Sequence, residues 1–350
     1  MVHKRNDKYP MTLLLSLCHL GIDFLCAFSL YHSFSERYEA FLLYNFCAFA
    51  LQMPLGMIID MWSERSKKTI RPGMTFVIMG IILTIAGSYL SNIIAGIGNA
   101  LFHVGGGVLV IHEDDTHELE GKALGCFVAP GAIGLILGIL FNGTDSYDLI
   151  HIAESALLCI VGLLIMRISD ERPLVVRYRK FSTDRKELPC IIAMCFLVVV
   201  VRSLAGMSIA FPWKNGYLIT VISVIALASG KTIGGFLSSC FGMKKMVIVT
   251  LLISSAAYMF ADNMILGLIA LLFFNMTMPI TLYLLALNMS DMPGFAFGIL
   301  TFALFLGYLP YHYGLAIGLP PFPYGTAASV ISLIVLYLAV RLSEKGEDDG

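Results

Sequence analysis

Long apolar runs separated by short polar segments occupy almost the whole of this 350-residue sequence. A helix needs about 20 mostly apolar residues to cross a bilayer. Twelve runs meet or approach that length: 11–32, 38–60, 72–90, 91–112, 122–141, 147–167, 187–209, 217–239, 246–260, 264–287, 293–312 and 321–341. The third and ninth runs are short. The pattern predicts an all-α polytopic membrane protein with about twelve transmembrane helices and little chain left for loops.

The composition excludes an ordinary soluble domain. Mean hydropathy is +0.82, and 13% of the residues are charged, whereas soluble domains carry about 25%. The runs are also too long for the short alternating strands of an outer-membrane barrel. Eight cysteines are scattered without a Cys-x-x-Cys pair, so we expect neither a disulfide framework nor a zinc site.

Basic residues indicate how the chain lies in the membrane. With both termini cytoplasmic, 19 of the 23 lysines and arginines lie on the cytoplasmic side, and only Arg37 and Lys214 lie outside. Because positive residues favour the cytoplasmic side, we predict an even number of spans, cytoplasmic termini and a plasma-membrane location. The net charge of −1 points to no charged partner. We expect a monomer that contacts a small solute and membrane lipid but no nucleic acid.

One polar, basic stretch divides the chain into two halves. It predicts an N-terminal six-helix bundle at 1–168, a cytoplasmic linker at 169–188 and a C-terminal six-helix bundle at 189–350. Weak similarity between the halves supports this division.

The two halves place intramembrane polar residues at matching positions. Asp23 lies 33 residues before Gly56, and Arg202 lies 33 residues before Gly235. A charge inside a bilayer costs ~2.5–3.5 kcal/mol on insertion scales, so it suggests a functional site. Two such sets in register suggest two pseudo-symmetric bundles with a site between them. Further matching pairs are Gln52 with Lys231 and Asn99 with Asn275.

The segments that follow the second and eighth runs carry related motifs. The first is Gly56-Met-Ile-Ile-Asp60, followed by a basic stretch that begins at Arg65; the second begins at Gly235 and continues to Gly242-Met-Lys-Lys. Both resemble the Gly-x-x-x-Asp-basic-x-Gly-basic-basic signature of the major facilitator superfamily, although the second copy has Ser239 in place of the acid.

The resemblance covers nearly the whole chain and implies two six-helix bundles that rock around a central cavity. It implies gating roles for Gly56, Asp60, Arg65, Gly235 and Gly242. Physically, the glycines allow close helix contact, and the acid can hold a helix N-terminus or a basic partner when the cytoplasmic side is closed. The alternative is that Asp60 and the basic loop are a solvated topology signal.

Two further segments resemble subfamilies and slightly favour efflux. Gly125-Cys-Phe-Val-Ala-Pro130-Gly131-Ala-Ile-Gly134 is similar to the Gly-Pro motif of the superfamily's proton antiporters. Gly98-Asn-Ala-Leu-Phe-His103 is similar to its fosmidomycin-resistance branch, with a valine next where that branch tends to have proline.

Asp23 and His19 are the candidates for proton coupling. Their i,i+4 spacing puts them on one helix face, and a histidine beside a buried carboxylate can relay its proton. The expected driving force is therefore a proton gradient, with no cofactor. The alternatives for Asp23 are a static ion pair with Arg202 or substrate ligation.

Arg202 and Lys231 are the basic residues that lie inside spans, and they suggest an anionic or amphiphilic substrate. Arginine binds carboxylate or phosphate with two parallel hydrogen bonds, and lysine adds a movable charge. The alternative for Lys231 is snorkelling toward the membrane surface. The other substrate-binding candidates are His103, Gln52, Asn99 and Asn275; for His103 the alternative is an ordinary packed histidine.

The run from His112 to Glu120 is rich in acids and contains two histidines. It lacks a recognisable metal-ligand spacing, so we interpret it as a solvated loop that partners the basic loop at 61–71. We expect no metal site elsewhere in the chain.

These observations predict a secondary active transporter that moves a small organic solute by alternating access, coupled to protons and directed to efflux. No Gly-rich phosphate-binding loop is present, so ATP is not the expected energy source. One alternative is a membrane sensor or scaffold that does not transport. Another is a membrane-embedded enzyme that uses His19 and Asp23, but no catalytic motif accompanies them, and we predict that the protein is not an enzyme.

Overall fold

The computed structural model describes residues 10–34, 38–66, 70–170 and 186–348. They form fifteen α-helices and one π-helical turn, without a β-strand among them. The helices are α1 (Pro10–Phe34), α2 (Tyr38–Asn45), α3 (Gln52–Arg65), α4 (Arg71–Leu90), α5 (Asn92–Thr116), α6 (Lys122–Val128), α7 (Pro130–Phe141), α8 (Tyr147–Asp170), α9 (Leu188–Ser208), α10 (Tyr217–Phe241), α11 (Met243–Tyr258), α12 (Met264–Asn275), α13 (Thr277–Asn288), α14 (Pro293–His312) and α15 (Pro321–Asp348); the π-helical turn is Phe46–Ala50.

The architecture predicted from the apolar runs is confirmed: the chain is an all-α polytopic membrane protein. Within the described ranges, 11 helical segments are long and apolar enough to cross a membrane. The predicted ninth span corresponds to α11, which has only 16 residues. Most of the predicted linker at 169–188 lies outside the described residues, so the division into domains stays a prediction.

Three of the spans are interrupted near a proline. Pro130 separates α6 from α7, Pro279 follows the junction of α12 and α13, and Pro54 follows the π-helical turn between α2 and α3. Proline has no backbone N–H, so the carbonyl four residues before it loses its intrahelical partner. Such breaks are tolerated in a membrane only where neighbouring groups satisfy the freed backbone.

Glycines allow the helices of the first half to approach closely. A Cβ at Gly80 would collide with the backbone of Phe102, and one at Gly98 would collide with the backbone of Thr84. Small residues at helix interfaces are the usual means of tight packing in membranes. The α4–α5 contact therefore depends on the missing side chains.

The two halves also meet through glycines. A Cβ at Gly56 on α3 would collide with the carbonyl of Gly294 on α14, and one at Gly235 on α10 would lie 2.7 Å from the carbonyl oxygen of Gly121. Both contacts lie at one end of the molecule, which we call the Asp60 end. At the opposite end Tyr38 stacks on His312, with ring centroids 3.8 Å apart.

The acidic run from His112 is not the solvated loop that the sequence suggested. It continues α5, and the side chains of Glu113 and Asp114 are buried. Asp114 accepts hydrogen bonds from the backbone N–H groups of Gly121, Ala123 and Leu124 at 3.1, 3.2 and 3.0 Å. A carboxylate at a helix N-terminus satisfies its free N–H groups, so Asp114 caps α6 instead of facing water.

The α4–α5 packing predicts unequal effects of two glycine substitutions. Gly98→Ala should lower the apparent melting temperature in detergent, because a methyl group there overpacks the interface at a cost of about 1–3 kcal/mol. Gly206→Ala is the matched control: no atom lies within 4 Å of its Cβ position, and it should leave the melting temperature unchanged or raise it. Equal effects of the two substitutions would contradict the packing described here.

Candidate substrate and ion site

A polar cluster lies between α1 and α5, near the middle of the membrane. Asp23 is 13 residues from the start of α1, which corresponds to about 20 Å along the helix. His19 and Asp23 on α1, and Asn99 and His103 on α5, are each spaced i,i+4. Each helix therefore presents two polar side chains on one face, and the two faces meet.

The side chains of this cluster are in direct contact. His19 Nε2 lies 3.2 Å from Asp23 Oδ2, and His103 Nε2 lies 3.6 Å from Asp23 Oδ1. The amide of Asn99 donates to Asp23 Oδ1 at 2.9 Å. The two Nε2 atoms of His19 and His103 are 2.8 Å apart. The sequence assigned these four residues to two separate roles, and the structure brings them into one site.

The outer nitrogens of both imidazoles face backbone carbonyls. His19 Nδ1 lies 2.6 Å from the oxygen of Phe127, and His103 Nδ1 lies 2.8 Å from the oxygen of Asn99. A carbonyl oxygen can only accept, so both Nδ1 atoms carry hydrogen. In the neutral rings, both Nε2 atoms then point lone pairs into the cluster.

The cluster therefore gathers electron-pair donors around one point. The lone pairs of His19 and His103 converge with the carboxylate of Asp23, and the three ligand atoms lie within 4.8 Å of one another. Unpaired acceptors buried this close together are unfavourable unless a proton or a cation lies between them. The sequence analysis predicted no metal site.

Carbonyls of the interrupted fifth span hold the cluster in place. Because Pro130 has no N–H, the carbonyl of Cys126 lacks its helical partner, and Ser16 donates to it at 3.2 Å. The next carbonyl, of Phe127, accepts from His19. The one after that, of Val128, accepts from Lys231 Nζ at 3.2 Å. Sequence analysis did not identify these backbone acceptors, although Pro130 was a signal for them.

Lys231 reaches across the interface between the halves. It lies on α10 in the second half, and its ammonium group bonds the end of α6 in the first. It does not extend toward the membrane surface, so the snorkelling alternative does not describe this structure. The carbonyl of Val128 that it bonds is next in the chain to the carbonyl of Phe127 that faces His19.

Arg202 is buried with unused hydrogen-bond donors. Its Nη2 donates to the hydroxyl of Thr281 at 3.2 Å. Its Nε and Nη1 are buried and find no partner among the described residues. Nor does Arg202 form an ion pair with Asp23 within the part of the chain that the structure describes, so the static pair considered from sequence is not formed here. Leaving a buried guanidinium partly unpaired costs free energy.

Gln52 and Asn275 form side-chain hydrogen bonds within their own spans. The amide of Gln52 donates to the carbonyl of Ala48 at 2.7 Å, and that of Asn275 donates to the carbonyl of Leu271 at 2.8 Å. Both bonds return to the residue's own span. Gln52 nevertheless keeps a buried side-chain oxygen without a partner among the described residues, at the contact of α3 with α14. Their substrate-binding roles stay predictions.

The Asp60 end carries the helix contact expected of a closed gate. Asp60 is buried and accepts hydrogen bonds from the backbone N–H groups of Gly294 at 2.8 Å and Phe295 at 2.7 Å. These groups begin α14, which has no side-chain cap of its own. Gly56 permits the close approach, and Arg65 is exposed at the end of α3. The gating roles of these residues stay predictions.

The second copy of the motif makes a weaker contact. Ser239 donates to a carboxylate oxygen of Glu120 at 3.3 Å, and Gly235 packs against Gly121. Gly242 ends α10 with a φ of +87°, a conformation that favours glycine. The N-terminus of α6 on this side is already capped within its own half by Asp114, which explains why Ser239 can replace an acid here.

Comparisons with known proteins give the fold. No protein-family model and no curated protein sequence matches this chain. The E. coli fucose:proton symporter FucP, a major facilitator superfamily transporter, has a similar structure, with a TM-score of 0.62, 14% identity and coverage of 95% of this chain and 98% of that one. The human organic anion transporter MFSD10 is similar with a TM-score of 0.63 and 14% identity, and the match covers 95% of this chain and 100% of that one. A bacterial homologue of the iron transporter ferroportin, in an outward-facing state, is similar with a TM-score of 0.57 and 13% identity. That match covers 97% of this chain and 100% of the homologue.

The chain therefore has the fold of major facilitator superfamily transporters, as its motifs predicted. Together with its apolar helices, this fold makes it an integral multi-pass membrane protein. The printed descriptions of these structures are those of transporters or of a transporter homologue, and that this chain is not an enzyme stays a prediction. The resemblance to the fosmidomycin-resistance branch is not confirmed.

The contact of Asp60 with α14 predicts a local opening in Asp60→Asn. Asparagine has one acceptor oxygen, so one of the two amides would lose its partner. A hydrogen bond to a charged group contributes about 1.5–3 kcal/mol, so hydrogen–deuterium exchange at Gly294 or Phe295 should become at least about tenfold faster. Ser239→Ala, which removes the weaker contact of the other motif, should leave these amides unchanged. Unchanged exchange in Asp60→Asn would show that the cap does not hold α14.

Proposed function

We propose that this protein is a secondary transporter that moves a small organic anion across the membrane by alternating access. The observation that carries the proposal is Arg202. Its guanidinium is buried, and two of its nitrogens lack partners among the described residues. A second cation, Lys231, lies at the boundary between the halves. An anion bound there would satisfy donors that the protein leaves unpaired.

The chemistry of these cations suggests the class of solute. A guanidinium binds a carboxylate or phosphonate with two parallel hydrogen bonds, and the ammonium of Lys231 can follow the charge as the helices move. The printed descriptions of the structural neighbours include a fucose symporter, an organic anion transporter and a homologue of an iron transporter. Because one fold serves different solutes, the residues of the site carry this proposal rather than the neighbours.

The Asp60 end supplies a switch for alternating access. The bonds from Asp60 to the start of α14 join the two halves, and few other polar contacts are needed at that end because the glycines pack backbone against backbone. Breaking such contacts costs a few kcal/mol, which suits an equilibrium between two conformations that a solute can shift.

Proton coupling through Asp23 and His19 and an efflux direction remain predictions of the sequence. So do the plasma-membrane location, the cytoplasmic termini and the monomeric state. A sensor or scaffold is the alternative that transport measurements separate, because it would bind a solute without exchanging it across the membrane.

Arg202→Gln should abolish anion binding by the purified protein. The test is a panel of small carboxylates and phosphonates, each paired with a neutral amide or alcohol analogue. Each compound would be screened for a rise in the melting temperature of the protein, because a ligand at 100 times its Kd stabilises the folded state by about 2.7 kcal/mol. Anions that stabilise the wild type should stabilise Arg202→Lys less and Arg202→Gln not at all. Lys214→Gln removes an exposed cation on a predicted outer loop and should behave like the wild type.

The same anions would then be tested for counterflow in proteoliposomes. The wild type should exchange labelled anion. Exchange should be at least about tenfold slower in Arg202→Gln, because the charged hydrogen bonds are lost. Binding without counterflow would favour the sensor alternative. Stabilisation by the neutral analogues alone would overturn the assignment of an anionic solute.

A further inference from the structure

We infer that His19, Asp23 and His103 form a binding site for one divalent transition-metal ion. Binding follows from the geometry of these three residues and does not depend on the transport proposal. Only the role of the ion, as a transported or co-transported species, rests on the proposed function. The three residues lie near the middle of α1 and α5, where an ion would be far from either membrane surface.

One proton cannot bind all three groups of the cluster at once. The carbonyl partners of both Nδ1 atoms leave three groups with lone pairs facing inward in the neutral rings: two Nε2 atoms and one carboxylate. A single proton forms a strong hydrogen bond between two of them; when these are the imidazoles, the carboxylate keeps the amide of Asn99 as its donor. A metal ion accepts electron pairs from all three at once.

The separations between the ligand atoms suit a metal centre. Imidazole nitrogens and carboxylate oxygens bind zinc at about 2.0–2.2 Å, which places neighbouring ligand atoms about 3.0–3.5 Å apart in octahedral or tetrahedral geometry. The observed separations are 2.8 Å between the two Nε2 atoms and 3.2 and 3.6 Å from Nε2 to the carboxylate of Asp23. Small movements of side chains would bring all three to one ion.

The groups behind the ligands are those that orient metal ligands in proteins. A metal-binding histidine usually donates its second N–H to a carbonyl or carboxylate, which fixes the ring and its tautomer. His19 does so to Phe127, and His103 does so to Asn99. The side chain of Asn99 also holds the carboxylate of Asp23. The ligand set is therefore preorganised before an ion arrives.

The backbone of α7 packs directly against one side of the cluster. A Cβ at Gly131, just after the break in the fifth span, would collide with His19 Nε2 and with Asp23. Glycine therefore allows the backbone to approach both ligand atoms. The side chain of Asp23 retains 21% exposure, against 7% for His19, so the carboxylate is the side from which an ion would enter.

Two imidazoles and one carboxylate select a class of ion. This donor set suits zinc, iron(II), cobalt(II) and related ions, whereas magnesium and calcium prefer oxygen ligands. Asp23 offsets one of the two charges of such an ion, and Lys231 lies nearby. The net positive charge would then favour an anion as the remaining ligand, in keeping with the anionic solute proposed above.

The test is metal binding to purified full-length protein in detergent, prepared with an affinity tag that contains no histidine. Calorimetric titration with Zn²⁺ and Co²⁺ should give one site per chain, with Mg²⁺ and Ca²⁺ binding roughly 100-fold more weakly or not at all. The Co²⁺ absorption spectrum should show nitrogen and oxygen ligation. A spectrum with sulfur-to-metal bands would place the ion on a cysteine and overturn the inference.

Substitutions then assign the site. His19→Gln, His103→Gln and Asp23→Asn should each weaken Zn²⁺ binding at least about tenfold, because each removes one of three ligands. His32→Gln is the matched control: His32 also lies on α1, is exposed, and bonds the carbonyl of Asn142 away from the cluster. It should bind like the wild type. Melting curves without metal would show that each variant is folded.

Either of two results would overturn the site: no saturable binding of Zn²⁺ or Co²⁺ to the wild type, or binding retained in all three ligand variants. Both measurements are made in detergent, so neither depends on transport. A protein that exchanges anions in proteoliposomes but binds no metal would keep the proposed function and reject this inference. A protein that binds metal but exchanges no anion would keep this inference and reject the proposed function.

Discussion

In a membrane interior, each polar group needs a partner within the protein, and the break in the fifth span sets where those partners are found. Pro130 removes one N–H from the helix, and the carbonyls just before it accept hydrogen bonds from Ser16, His19 and Lys231. These donors come from α1 in the first half and α10 in the second. One local interruption therefore orients the histidine of the cluster and also joins the two halves beside it.

The two halves bury polar groups of opposite kind. In the first half, Asp23 accepts a hydrogen bond from the amide of Asn99, and two imidazoles whose Nε2 atoms are acceptors in the neutral rings lie within 3.6 Å of its carboxylate. In the second half, Arg202 has one hydroxyl partner, and two of its nitrogens lack partners among the described residues. The first half thus gathers acceptors, and the second half carries donors.

The two motif copies differ for a related reason. A helix that begins inside the protein needs acceptors for its first N–H groups. For α14 the acceptor is Asp60 from the other half, whereas α6 is capped by Asp114 from its own half. Of these two caps, only the one from Asp60 joins residues of different halves. The Asp60 end is thus asymmetric, with one strong polar contact and one position, Ser239, where a weaker bond is sufficient.

Sequence alone determined the membrane class, the approximate spans, the pairing of His19 with Asp23 and the position of Arg202 within a span, because these depend on apolar length and on spacing within one helix. Asp60 was identified by its motif. The acidic run after His112 was misassigned, since its burial depends on a helix elsewhere in the chain. Only the tertiary structure decided that His103, 84 residues from His19, completes one cluster, that Lys231 bonds the opposite half and that Arg202 stays apart from Asp23. The helices could be predicted from local pattern, but which of their faces meet depends on glycine contacts and proline breaks that act across the whole fold.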